Sequence, residues 1–209
     1  MNGLSNATVG QLGQQGPGYD RAALRAGVLH FGVGNFFRAH QAAYLDRLMN
    51  MGLAQDFAII GAGVMPGDDV MRQTLAAQDY LYTLVEQSAG QSQARVLGPI
   101  IDHIAPGDAR RVIATMTDPA IRIVALTITE GGYFIDPATG KFDPSHPAIV
   151  ADATDPPHPQ TVFGLIIAGL KQRKARGIAP FTVMCCDNIP GNGEVTEATV
   201  CGLAELSDP

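Results

Sequence analysis

The residues best placed to do chemistry fall in short runs, of which the first is His30-Phe31-Gly32-Val33-Gly34-Asn35-Phe36-Phe37-Arg38-Ala39-His40. A Gly-x-Gly between an apolar run and a helix start can hold a diphosphate. Gly32 permits a tight turn, Gly34 lets the backbone approach the phosphates, and the amides of the helix start act as donors. Arg38 puts a cation in the first helical turn, where it opposes the helix dipole and so points to an anion. Phe37 stands where a dinucleotide fingerprint carries its third glycine. A buried strand-to-helix turn with no ligand is the competing reading.

A second run, Thr129-Glu130-Gly131-Gly132-Tyr133, leaves a long apolar segment at the kind of strand end where α/β sheets bind ligands. Its carboxylate, Glu130, and its two glycines either face a nicotinamide or simply turn the chain. The third run, Cys185-Cys186-Asp187-Asn188-Ile189-Pro190-Gly191-Asn192-Gly193, gathers polar groups after another apolar segment. Asn188 there can hydrogen-bond a hydroxyl or an oxyanion. The adjacent cysteines have no histidine placed to activate them, which favours a structural role. Gly61-Ala62-Gly63 repeats the Gly-x-Gly spelling, but its place after a second apolar run suits tight packing. Asp68 and Asp69 follow it, farther from Gly34 than the spacing of about 20 residues usual for a ribose-binding acid. Helix capping explains them as well as ribose binding does.

The elements that must position these residues read as an α/β pattern. Strands are expected at 28–34, 57–63, 121–128 and 181–186. Helices are expected at 37–51, from about residue 68, and at 108–117, 161–176 and 195–206. The helix at 37–51 should bury Phe37, Ala42, Leu45, Leu48 and Met49, with Gly52 closing it. A β-hairpin, 80–87 with 94–100, interrupts the alternation, and a long Pro/Asp/His-rich connection covers 135–160. Strands alternating with helices predict a doubly wound, mainly parallel sheet carrying an inserted hairpin. Residues 1–27 read as an arm laid over a domain spanning 28–209.

Bulk properties narrow the partners. The chain has 209 residues, 46% of them hydrophobic, which is enough for a real core. A net charge of −6 argues against nucleic acid or an acidic membrane surface, though not against a dinucleotide held by backbone amides. The longest apolar stretch, at 162–170, is too short to span a bilayer, and the first twenty or so residues lack a basic, apolar leader pattern. The expectation is a cytoplasmic protein. Five scattered histidines and three cysteines show no metal-ligand spacing, so no metal site is expected.

Taken in order, the three runs resemble the mannitol dehydrogenase family, the zinc-independent long-chain polyol dehydrogenases that include fructuronate reductases. The resemblance covers the chain from about Val28 onward. It implies a Rossmann-type domain for NAD, with NADP second, and a mostly helical C-terminal domain. It implies an oxidoreductase that interconverts a sugar polyol or hexonate with the matching ketose or keto-acid. By resemblance, Gly32, Val33, Gly34, Asn35, Phe36, Phe37 and Arg38 bind the pyrophosphate. Asp68 meets the adenosine ribose, and Asn188 helps hold the reacting oxygen. Gly67 departs from relatives that carry a further acid there. A second departure is larger, because none of Lys141, Lys171 and Lys174 begins the family's Lys-x4-Asn-x2-His motif, which carries the general base. The chain is therefore expected to hold the cofactor half of a site whose C-terminal domain, in cis, it lacks. Two alternatives are an S-adenosylmethionine-dependent methyltransferase, from the Gly-x-Gly and the Asp187-Asn188-Ile189-Pro190 run, and a stand-alone nucleotide-binding module.

Overall fold

The computed structural model describes residues 3–207. Two 3-10 turns, Val9–Gln15 and Arg21–Ala23, precede the first strand, β1 (Ala26–Phe31). Then follow α1 (Asn35–Ala39), α2 (Gln41–Asn50), β2 (Ala58–Ala62) and α3 (Asp68–Ala76). The hairpin β3 (Tyr82–Ser88) and β4 (Gln91–Leu97) leads into β5 (Ile100–Ile104) and α4 (Ala109–Met116). Next come β6 (Ile123–Leu126), a 3-10 turn at Glu130–Tyr133, and the small hairpin β7 (Ile135–Asp136) and β8 (Lys141–Phe142). The last elements are α5 (Pro147–Thr154), α6 (Val162–Ala175), β9 (Thr182–Cys185) and α7 (Asn192–Ser207).

The central sheet has the order β5-β2-β1-β6-β9, and every neighbouring pair is parallel. The chain moves from β1 to one side through β2 and β5, then returns to the other side through β6 and β9. The reversal falls at the C-terminal end of β1, where the crossovers diverge and leave a crevice. The expected doubly wound α/β sheet with an inserted hairpin is therefore what forms.

The strands are buried on both faces because each face carries its own core. Leu29 and Phe31 of β1, with Val124 and Leu126 of β6, pack against Met116, Phe163, Ile166 and Leu203. Val28, Ile59, Ile100 and Ala125 point the other way, to Phe37, Ala42, Leu75 and Leu97. Period-2 alternation thus sends apolar residues into two helical layers rather than into one layer and water.

Several local expectations need correction. The helix expected over 37–51 is two helices, because His40 leaves helical geometry at φ −116° and ψ −85°. Leu48 is 39% exposed, and Asp46 takes the inward position instead. That acid accepts bonds from the Tyr19 hydroxyl (2.6 Å) and the Gly98 amide (3.1 Å), and it pairs with Arg95 (3.1 Å). The arm and the hairpin pack over this face and supply the donors, so burial there follows tertiary neighbours rather than hydropathy. The run expected as one hairpin arm over 94–100 breaks at Gly98-Pro99, and a separate parallel strand, β5, begins at Ile100. Finally, the connection at 135–160 holds β7, β8 and α5. Pro147 suits the first turn of α5, and the His146 side chain caps it.

The residues before β1 are tied down by Arg21, whose guanidinium donates to the carbonyls of Gly98 (3.0 Å), Ile100 (2.9 Å) and Asp79 (2.9 Å). Among the described residues, no helix is long and apolar enough to cross a membrane.

Candidate functional site

Gly32 follows β1 at φ +84°, a conformation open to glycine and costly for other residues. A Cβ there would overlap the carbonyl oxygen of Thr127, the residue after β6. The close approach is held by hydrogen bonds on both sides. The Gly32 amide donates to Ala62 O (3.1 Å), and the Thr127 hydroxyl donates to Gly32 O (2.6 Å). Since that hydroxyl spends its proton on Gly32, His30 Nε2–H donates to Thr127 Oγ1 at 2.9 Å. His30 is fully buried and stacked on Phe37 at 3.6 Å, and burial holds its pKa down to about 3. A neutral imidazole thus fixes the floor of the turn.

Phe37 explains the missing third glycine. Its ring is buried at 1% exposure and fills the space between α1 and β1 by stacking on His30. Helix and strand meet through two rings where a glycine would let their backbones touch.

Gly34 has a different role. Its backbone is extended (φ −80°, ψ −178°), which any residue can adopt, and no atom lies within 4 Å of where its Cβ would stand. The amides of Asn35, Phe36 and Phe37 come before the first intrahelical bond, Arg38 N to Gly34 O at 3.1 Å. Gly34 and Asn35 line an open cleft of about 1120 Å³ at the C-terminal edge of the sheet. Bare amides beside a glycine in open space form a cradle that suits a diphosphate.

Arg38 also lines the cleft, but it is already engaged. It donates to Val33 O (2.8 Å) and Asn35 Oδ1 (2.5 Å), so its guanidinium braces the turn from within. Val33 is buried beneath the loop, whereas Phe36 is 57% exposed and stacks on His40 at 4.4 Å. Neither Phe36 nor Phe37 borders the cleft.

On the β2 side, Asp68 lines the cleft while its Oδ2 accepts from the amides of Val64 (2.8 Å) and Met65 (2.9 Å). It shapes the loop after β2 as a capping acid does. Asp69 instead pairs with Arg72 (2.6 Å) and Gln73 (2.6 Å) on its own helix. Gly61 and Gly63 are packing glycines: Val33 Cγ2 would meet a Cβ on Gly61 at 2.6 Å, and Pro106 Cγ one on Gly63 at 2.6 Å.

On the β6 side, Thr129, Gly131 and Gly132 line the cleft, whereas Glu130 is exposed and does not. Asp187 organises this wall. Its carboxylate accepts from the amides of Ile128 (2.9 Å) and Thr129 (3.1 Å) and from the Tyr133 hydroxyl (2.6 Å). Thr129 is held at φ +67° between these bonds. Burial and the Asp187 carboxylate push the Tyr133 phenol up, so it stays a donor. Asn188, the next residue, is exposed on the loop between β9 and α7, outside the cleft. Burial also raises the Cys186 thiol, which disfavours a thiolate nucleophile. Among the described residues, no group of three or more His, Cys, Asp or Glu could hold a metal ion.

Sequence reasoning missed Thr127, Asp187 and His103 as site builders. Asp187 lay inside a quoted run, but its partners come from a segment nearly sixty residues earlier. Thr127 and His103 carry no motif, and only the parallel register brings them to the cleft.

A glycine turn at the switch point of a parallel sheet, opening on a cleft, defines a Rossmann-fold dinucleotide-binding type of domain. The sequence matches the mannitol dehydrogenase Rossmann domain over residues 26–208, and the chain belongs to the mannitol dehydrogenase family. It is 54% identical to mannitol 2-dehydrogenase of Cereibacter sphaeroides over 92% of this chain and 40% of that protein. It is 44% identical to polyol:NADP oxidoreductase of Gluconobacter oxydans over 93% of this chain and 41% of that protein. A solved structure of Pseudomonas fluorescens mannitol 2-dehydrogenase with NAD and D-mannitol superposes with a TM-score of 0.93. That structure is 45% identical, and the match covers 99% of this chain and 43% of that one. The chain therefore spans about two fifths of the length of these relatives. The methyltransferase alternative finds no support among them.

Proposed function

We propose that this chain is the cofactor-binding part of an NAD-dependent oxidoreductase that interconverts a sugar polyol or hexonate with the matching ketose or keto-acid. The observation that carries the reading is the Gly32–Gly34 turn, closed by Thr127 on one side and open to the cleft at Gly34 on the other. The names of the relatives support the substrate class, and the NAD-bound neighbour supports the cofactor.

In this reading the amides after Gly34 hold the pyrophosphate, while Val33 and Phe37 pack the turn from below and Arg38 keeps it rigid. Phe36 lies on the outer face of the same helix. Asp68 borders the adenosine end. Gly131 and Gly132 border the nicotinamide end, with Glu130 at its rim. The bound dinucleotide supplies the hydride acceptor or donor. Asn188 donates a hydrogen bond from its exposed carboxamide to the reacting oxygen, in a site completed by a C-terminal domain in cis. That domain brings the base that takes the hydroxyl proton. We place the protein in the cytoplasm, where the free thiols of Cys185, Cys186 and Cys201 stay reduced.

Calorimetric titration of the chain with NAD and with S-adenosylmethionine tests the cofactor. Saturable NAD binding with no methionine-cofactor binding is expected, and the reverse would overturn the proposal. Joining the chain to the remaining part of the Cereibacter relative tests the chemistry. NADH formation over a panel of hexitols and hexonates is expected. A folded, NAD-binding fusion that turns over none of them would refute the substrate class. A stand-alone module predicts that same result.

A further inference from the structure

We infer that Asp187 is a positioning residue for the nicotinamide half of the cofactor: from the loop after β9 it locks Thr129 in a backbone conformation that fixes the β6 wall of the cleft. The inference rests on the proposed NAD site and adds to it the residue that sets one of its walls. Thr129 carries the observation. Its backbone stands at φ +67° and ψ 162°, a region that glycine alone enters freely. Among the described residues five other than glycine have positive φ, and of these Thr129 is the one with a β-branched side chain, for which the conformation is most costly.

Such a conformation persists only where its surroundings dictate it. The dictating group is 58 residues away in the chain: Asp187 Oδ1 accepts from the Thr129 amide at 3.1 Å. Its Oδ2 accepts from the Ile128 amide at 2.9 Å and from the Tyr133 hydroxyl at 2.6 Å. The donors come from both ends of the segment 128–133, so one carboxylate clamps the whole turn. Tyr133 is fully buried with its ring edge-on to Phe163, which anchors the far end of the clamp in the core.

The clamped segment borders the ligand space, since Thr129, Gly131 and Gly132 line the cleft. The Thr129 amide is spent on Asp187, and its carbonyl accepts from the Gly132 amide at 3.0 Å. Its hydroxyl has no partner among the described residues and is the polar group it can offer a ligand. Thr127, two residues earlier, bonds the Gly32 turn. Along the cleft, the wall thus follows the diphosphate turn as the nicotinamide ribose follows the diphosphate along the cofactor. Asp187 does not border the cleft itself, so it reaches the cofactor only through this wall. A wall pinned at both ends presents one geometry, whereas a loose one must be ordered on binding, which opposes affinity.

Asp187→Asn attacks the clamp without changing its shape. The new side chain has one acceptor oxygen, and with that oxygen turned to Ile128 and Tyr133 its amino group meets the Thr129 amide, donor against donor. Thr129→Gly removes both the strain and the hydroxyl. The test titrates NAD and ADP calorimetrically against wild type, both single variants and the double variant, with urea unfolding to establish folding. ADP keeps the adenosine and the diphosphate but lacks the nicotinamide nucleoside. In each single variant the NAD-to-ADP affinity ratio is expected to fall about five- to tenfold, the worth of one hydrogen bond, with ADP binding within about threefold of wild type. The double variant is expected to match the weaker single variant, because both act through one wall; multiplied effects would overturn that route. Should Asp187→Asn unfold, Tyr133→Phe decides: it frees the far end of the clamp, and a fall of about two- to threefold in the same ratio is expected. A merely structural role for Asp187 lowers the urea midpoint and leaves the ratio alone. If NAD binds but its ratio to ADP is that of wild type in every folded variant, the inference is overturned. If the wild-type chain binds neither nucleotide, the NAD site itself falls with it.

Discussion

Alanine at Gly34 and alanine at Gly32 should fail in different ways, and the difference tests whether the turn exists to hold a phosphate. Gly34 has ordinary backbone angles and nothing packed within 4 Å of its Cβ position, so neither strain nor crowding demands a glycine there. As the residue before a helix, glycine is modestly better than alanine, a cost of about 0.5–1 kcal/mol. The new methyl would project about 1.5 Å from the backbone into the space where an anion must come within about 2.9 Å of the amides. Losing one or two charge-assisted bonds of about 1.5–3 kcal/mol each predicts a fall in NAD affinity on the order of 100-fold. Gly32→Ala meets the opposite situation. Its φ of +84° costs alanine about 1–2 kcal/mol, and the overlap with Thr127 O forces β1 and β6 apart. A stability loss of at least about 3 kcal/mol is expected, with binding lost as well. Urea unfolding followed by circular dichroism, with calorimetric titration of NAD, reads both effects. If folded Gly34→Ala binds NAD within threefold of wild type, the amide cradle is not the phosphate site.

Two further perturbations probe the supports of the turn. His30 has its pKa held down to about 3 by burial, whereas in the unfolded chain it titrates near 6.5. The unfolded state therefore takes up the proton first, and stability that is complete above pH 6.5 is lost as pH falls toward 3. The slope is about 1.4 kcal/mol per pH unit, or about 2 kcal/mol between pH 6.5 and 5. Urea midpoints of wild type and His30→Gln over that window should diverge in slope, and parallel slopes would exclude His30 as the origin. Asp187→Ala strips the partners from the Tyr133 hydroxyl and the amides of Ile128 and Thr129. A loss of about 2–4 kcal/mol is expected. A variant as stable as wild type would show that the wall stands without the carboxylate.

Legibility in the sequence followed the range of the interaction involved. The strand at β1, the Gly-x-Gly turn, the hairpin around Gly90 and the helix from Thr161 were all readable, because each depends on residues a few positions apart. The failures came where distant segments decide. Asp46 sits inside a helix whose hydropathy placed Leu48 inward, but Tyr19, Arg95 and Gly98 arrive from elsewhere to satisfy its carboxylate. The β5 strand was hidden in a run that continued the hairpin's pattern. The 135–160 connection looked like loop because proline breaks helices, yet one of its prolines, Pro147, starts α5.

The sequence by itself determined the alternation of strands and helices, the doubly wound sheet and the turn at its switch point, since periodicity, glycine placement and motif order are local properties. The tertiary structure decided what each candidate does. It spent Arg38 and the Asp68 Oδ2 on bracing loops, left Asn188 and Glu130 on the surface, brought Thr127 and His103 to the cleft, and set Asp187 against the amides of its wall. Those roles depend on the register of strands up to a hundred residues apart, and a carboxylate or imidazole has a use only once its partners are fixed around it.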